Sequence, residues 1–219
     1  TKPNKQQINI KNDVYDNDFQ DGLVLILNVT ENFNKLFKKI FIDMDNCQFK
    51  KTPSVNSSYD KELIAHNSRY ELLKEVNLYN HTINVVIETI KLTNELPQNV
   101  RDIAIILALL HDFGKNDKII KTYNLGDDGR KHHHRISAYY AKHTMQDAMI
   151  GSHSTNIITD ELVEMIYKVL RMHHDSDKEK NLFLDLLIKA DMNAREIELK
   201  GILLRKHIKT EHKERDNDS

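Results

Sequence analysis

Histidine and aspartate side chains that could hold a cation fall at several helix ends along this chain. His111–Asp112 follows directly on the apolar run IAIILALL, at the end of a helix that must be buried. An aspartate almost never enters a protein interior unless it is paired or bound to a cation, because an unpaired carboxylate loses its hydration there. His81 opens the preceding helix, antiparallel to the apolar one, and can carry an imidazole to or near that helix's end. Asp191, in FLDLLIKADMNA, shares a helical face with Leu184, Leu187 and Ile188, so it too needs a cation or a donor. Imidazole nitrogen and carboxylate oxygen together suit first-row divalent ions such as Fe, Mn, Zn or Co. Two more clusters lie between Asp112 and Asp191: His132, His133 and His134 open one helix, and His173 and His174 end another. Taken singly, each group has an ordinary reading as a packed or solvated histidine or a capping acid. Helix ends, however, are where a bundle can focus several side chains on one cavity.

The elements that must position these residues are helices. Only 6 Gly and 3 Pro occur in 219 residues, too few turn-formers for an all-β fold of many short hairpins. Apolar residues at Leu23, Leu27, Phe33, Leu36, Phe37, Ile40 and Phe41 suit one or two amphipathic helices, and a polar stretch, NCQFKKTPSVNSSYD, separates them from the remainder. The apolar spacing then predicts a helix ending near Asn77, another over His81 to Leu96 closed by Pro97, and a third starting at Asn99 or Asp102 and stopped by Gly114. Residues 116–131 read as a polar loop, followed by helices over about 133–149, 159–174 and 180–206 and a charged tail. The expected organisation is a lead and helical appendage over 1–59, one main domain over 60–206 and a tail over 207–219.

Composition sets the remaining bounds. Net charge is −1, so no global positive field draws in nucleic acid, which leaves only a local basic groove for such a partner. The single cysteine, Cys47, excludes an internal disulfide and any multi-thiolate zinc site, and fits a reducing cytoplasm. The longest apolar run, Ile103 to Leu110, is far short of the roughly 20 residues needed to cross a bilayer. The polar opening TKPNKQQINIKND carries no apolar secretory segment, and the polar ends suit a domain cut from a longer protein.

With these elements in place, the segments YNHTINVV, LALLHDFGK, HHHRISAYYA, VLRMHHD and LLIKADMNAREI resemble, in order, the HD superfamily of metal-dependent phosphohydrolases. The resemblance covers about residues 77–197 and implies an all-α, HD-domain-like helical bundle with a short helical N-terminal appendage. It implies that His81, His111, Asp112 and Asp191 bind a first divalent ion. The clusters between resemble the extra histidines of two-metal members, among them HD-GYP cyclic-dinucleotide phosphodiesterases and bacterial HD-type dinucleoside polyphosphate hydrolases. His133, four residues before Ser137, is the best match of the triplet, and His173 with His174 matches a paired-histidine element; Asp112 would bridge the two ions. The GYP element itself is absent, which speaks against cyclic-dinucleotide specificity.

The chemistry to expect is hydrolysis of a phosphate ester or anhydride, on a nucleotide or related phosphorylated substrate, by hydroxide held between one or two ions of Fe, Mn, Zn, Co or Ni, with Mg also admitted. Asp112 and Lys115 are the expected catalytic residues: Asp112 would bridge the ions, and Lys115 would steady phosphoryl charge. Gly126 and Gly129 in NLGDDGRK would let a loop cover substrate, with Arg130 and Lys131 beside it. Tyr139 and Tyr140 offer rings for a base or for the core. Two other function classes stand beside this one: a regulatory module that senses nucleotides or contacts proteins, and a DNA-processing domain resembling those of conjugative relaxases.

Overall fold

The computed structural model describes residues 19–30, 32–55, 68–123, 132–150, 157–174 and 181–217. Among them the architecture is helical, and the only β-type pairing is an isolated antiparallel bridge between Pro53 and Asn77. Helix α1 (Phe19–Val29) and α2 (Asn34–Asn46) are followed by a short 3-10 turn (Phe49–Lys51). After a second 3-10 segment (Ser68–Glu75) come α3 (Leu78–Leu92) and α4 (Gln98–Leu110). A third 3-10 turn (Phe113–Lys115) leads into α5 (Asp117–Tyr123), and the fold closes with α6 (His133–Ile150), α7 (Asp160–Met172) and the long α8 (Leu182–Asn217).

Helix α4 is central because its sequence leaves it no polar face over its last two turns. Every residue from Ala104 to Leu110 is buried, and the same core takes Leu36, Phe37 and Ile40 of α2, Val85 of α3, Ile136 of α6, Ile166 of α7 and Leu187 of α8. The N-terminal helices therefore share the core of the main domain. Asp102 fixes this junction: its Oδ2 accepts from the backbone and side-chain nitrogens of Asn32 at 3.2 and 3.0 Å. The helix starts at Gln98, immediately after Pro97, rather than at Asn99 or Asp102, and Asp102 is a buried acceptor within it.

Three elements differ from the pattern of the sequence. Residues 68–75 wind as a 3-10 segment, where the apolar spacing suggested an α-helix running to Asn77. The chain is drawn aside there by Ser54 N–H donating to Val76 O and Leu78 N–H donating to Thr52 O, and Asn77 caps α3 through its side chain to Asn80 N–H. Residues 117–123 form a helix inside the span expected as loop, started by Asn116 Oδ1 accepting from Lys118 N–H and held by buried Ile119 and Ile120. The backbone of α8 continues through the charged tail to Asn217. No helix is long and apolar enough to cross a membrane among the described residues.

Candidate metal centre

Asp112 sits where the chain turns out of α4, 2 % exposed, and four elements converge on it. Gly114 is what allows the approach of α6. A Cβ there would lie 1.9 Å from the carbonyl oxygen of His133, an impossible contact, so only glycine fits. Its N–H donates to Ser137 Oγ at 2.9 Å, which fastens the first turn of α6 against the His-Asp turn. The serine four residues after His133 thus serves to place that histidine.

On one side of Asp112 stand His81, His111 and Asp191. His81 Nε2 lies 3.5 Å from Asp112 Oδ2 and 3.2 Å from Asp191 Oδ1, and His111 Nε2 lies 3.3 Å from Asp112 Oδ2. On the other side His133 Nε2 is 3.4 Å from Asp112 Oδ1, and the His133 and His174 Nε2 atoms are 3.0 Å apart. Two sets emerge whose ligand atoms lie within 4.8 Å of one another: His81, His111 and Asp112, and Asp112, His133, His173 and His174. Both contain Asp112. His134 is buried beside the second set, its ring 5.9 Å from that of His173.

The tautomers explain why these rings want a cation. His111 Nδ1 donates to Ala108 O at 2.8 Å, and His173 Nδ1 donates to Leu170 O at 2.7 Å, each the residue one turn back on its own helix. His81 Nδ1 is 3.0 Å from Glu198 Oε1, a carboxylate that also accepts from Asn84 Nδ2 at 2.9 Å. With Nδ1 held in these bonds, Nε2 of each ring is the position left to take a proton or a cation. Yet the Nε2 atoms of His81, His111 and His173 and Oδ1 of Asp191 are buried without a hydrogen bond. Lone pairs facing carboxylate oxygens at these distances repel unless positive charge lies between them. The donor set, imidazole nitrogen with carboxylate oxygen, therefore fits a divalent ion of the first row.

Electrostatics agree. Burial and the Arg195 charge push His81 down, but Glu198, Asp112 and Asp191 outweigh them and raise it to about 10. Burial opposes ionisation of Asp112, yet His111, Lys115 and His133 hold its carboxyl well below the usual range. Asp191 is likewise held low against burial, by His81 and Arg195. His173 goes the other way: burial and the neighbouring His111 lower it to about 3, keeping it neutral. Burial and His173 lower His174 as well.

Lys115 is 7 % exposed, with Nζ 2.8 Å from Asp112 Oδ2 and donating to Ser54 O at 3.2 Å. Arg130 and Lys131, with Gly126 and Gly129, lie outside the described residues. Tyr140 belongs to the core: its ring stacks on Phe113 at 4.3 Å and its hydroxyl donates to Asp43, while Tyr139 is partly exposed against Tyr167. Sequence reasoning missed Glu198, Arg195 and Ser54. Asp191, Arg195 and Glu198 recur at helical spacing within ADMNAREIE, and that stripe of charge beside Ala190, Ala194 and Ile202 was the available signal. Nothing local marks Ser54.

Comparison with protein-family models matches residues 78–208 to the HD domain. Searches of the curated proteins and of the solved structures return no match. The matched span runs from the start of α3 into α8 and holds every histidine and aspartate of both sets.

Proposed function

Because the chain belongs to the HD-domain family, we propose that it hydrolyses phosphate esters or anhydrides of a nucleotide or related phosphorylated molecule at a centre built on Asp112. The observation that carries this reading is the pair of donor sets sharing that carboxylate, with the Nε2 atoms of His81, His111 and His173 buried around it without hydrogen bonds. His81, His111 and Asp191 with Asp112 would hold one ion; His133, His173 and His174 with the other oxygen of Asp112 would hold a second. Fe, Mn, Zn, Co or Ni suits these donors. Such ions supply Lewis acidity toward phosphoryl oxygen and make a water more acidic.

The chain's own residues do the rest. Glu198, Ala108 O and Leu170 O hold the Nδ1 side of His81, His111 and His173, so that no ring must turn before its Nε2 binds. Asp112 carries the charge that both sets share. Lys115, held by Asp112 and the Ser54 carbonyl, places an ammonium where phosphoryl charge develops. Burial around Asp112 excludes bulk water and strengthens each of these interactions. We assign the protein to the cytoplasm on its single thiol, Cys47.

The test is a hydrolysis screen of phosphomonoesters, diesters and anhydrides, with protein loaded with Mn, Fe, Co or Ni. Turnover that stops with a chelator and returns with metal is expected. Metal-free protein that gains no activity with any of these ions contradicts the reading. Strong, salt-sensitive binding of DNA without turnover favours the DNA-processing class instead.

A further inference from the structure

Arg195 is a buried guanidinium with one side fully engaged and the other not. Nη1 donates to Ser54 Oγ at 2.8 Å and lies 3.4 Å from Glu198 Oε2, while Nη2 donates to Ser54 O at 3.2 Å. The Tyr70 ring covers the group, 5.9 Å from its centre. These contacts hold the guanidinium plane from behind. The opposite edge, formed by Nε–H and the outer Nη2–H, faces the metal centre. There Nε is buried without a hydrogen bond and lies 3.8 Å from Asp191 Oδ1, and Nη2 lies 3.8 Å from Asp112 Oδ2. An N–H···O bond is about 2.7–3.2 Å long, so both distances are ion-pair separations only. The Nε/Nη2 edge is the pair of parallel donors with which arginine grips two oxygens of one phosphate or carboxylate.

Charge narrows the class of ligand. Three carboxylates, Asp112, Asp191 and Glu198, meet two cations, Lys115 and Arg195, which share the Ser54 carbonyl. One divalent ion added to this cluster leaves it one charge positive, and two leave it three charges positive. A centre so loaded calls for an anion of more than one charge.

Resting on the phosphohydrolase reading above, we propose that Arg195 grips the phosphoryl group of the substrate side-on and selects a terminal, doubly charged phosphate over an internal diester. A terminal phosphoryl group has three unesterified oxygens, enough to serve the arginine edge and Lys115 as well as the centre. An internal diester has two oxygens and one charge. The substrate class is then a phosphomonoester or the terminal phosphate of an anhydride. Ser54 and Glu198 are the positioning residues that aim the fork.

The experiment uses zinc-loaded protein, with inorganic phosphate as the terminal-phosphate probe and dimethyl phosphate as the diester probe, both by calorimetry. Zinc content is read first: protein that holds no zinc overturns both this proposal and the reading beneath it. Phosphate is expected to bind at least tenfold more tightly than dimethyl phosphate. Arg195→Lys, which keeps the charge and loses the fork, is expected to weaken phosphate at least tenfold with zinc content unchanged. In the wild-type chain, the Arg195 Nε–H resonance is expected to move downfield as phosphate is added, a readout that needs no variant to fold. Equal affinity for the two probes, an unshifted Nε–H at saturation, or unchanged phosphate binding in Arg195→Lys overturns the assignment while leaving the metal centre standing.

Discussion

The two halves of the centre meet at Asp112 but are built differently. The half with His81, His111 and Asp191 is rich in charge: it adds Glu198, Arg195 and Lys115, and the two imidazoles are entirely buried. Its candidate ligands come from α3, the end of α4 and α8, the helices that share the central core. The other half is imidazole throughout apart from Asp112, and His174 at its edge reaches solvent while its ring packs against those of His133, His134 and His173. Here burial and neighbouring rings keep His173 and His174 neutral. The inner half thus resembles a charge-balanced core element that requires positive charge whatever its source, whereas the outer half offers lone pairs that can stay empty without penalty. The inner ion should bind first and leave last.

Four changes break or sharpen this contrast. Asp112→Ala removes the carboxylate common to both halves and is expected to cost more than about 100-fold in affinity for each ion. Helical circular dichroism should persist, and retention of either ion at wild-type affinity would refute a shared ligand. His173→Ala is expected to lower metal content from two ions per chain to one, whereas His111→Ala should lose the inner ion. Identical stoichiometry in the two variants would erase the distinction between the halves.

Glu198→Gln should be milder. It keeps an acceptor for His81 Nδ1–H but removes the charge, and about a tenfold loss of inner-ion affinity is expected, with the outer ion unaffected. Metal titrations showing no change would leave Glu198 without a role in metal binding.

The smallest effect is one of pH on chelated protein. His81 rises from 6.5 in the unfolded chain to about 10 when folded, so its stabilisation is complete below about pH 6.5 and is lost as pH climbs toward 10. His173 falls from 6.5 to about 3, so its contribution is present above about pH 6.5 and is lost as pH drops toward 3. Thermal melts of metal-free protein should therefore decline on both sides of about pH 6.5. Metal should abolish the alkaline decline, because the ion replaces the proton on His81 Nε2. An alkaline arm of equal slope with and without metal would show that ion and proton do not compete there.

Much of this arrangement was legible in the residues. The apolar run ending in His-Asp, the histidines at helix ends and the aspartate on an apolar face of α8 all follow from helical periodicity and the cost of burying charge. The approximate match of α3, α4, α6, α7 and α8 to the expected helices has the same cause, since their apolar residues recur at helical spacing. Helix α3 nevertheless starts at Leu78 and ends at Leu92 rather than running from His81 to Leu96. What could not be read were the contacts that cross the chain. Ser54 meets Arg195 across 141 residues, and Glu198 meets His81 across 117, separations at which no periodicity operates. The 3-10 segment at 68–75 escaped for a related reason: Thr52 and Ser54 bind its end and the residues just after it, at Leu73, Val76 and Leu78, contacts that its own apolar spacing does not announce. In α5, the pair Ile119–Ile120 was a usable signal that the surrounding polar residues outweighed.

The most direct test is anomalous diffraction from crystals of protein purified without chelators, recorded at the absorption edge of the metal it contains. The account predicts a peak within about 2.0–2.3 Å of His81 Nε2, His111 Nε2 and carboxylate oxygens of Asp112 and Asp191, distances typical of nitrogen and oxygen ligands. A metal-containing crystal with no peak among those four residues, or with its ion bound elsewhere, would contradict it.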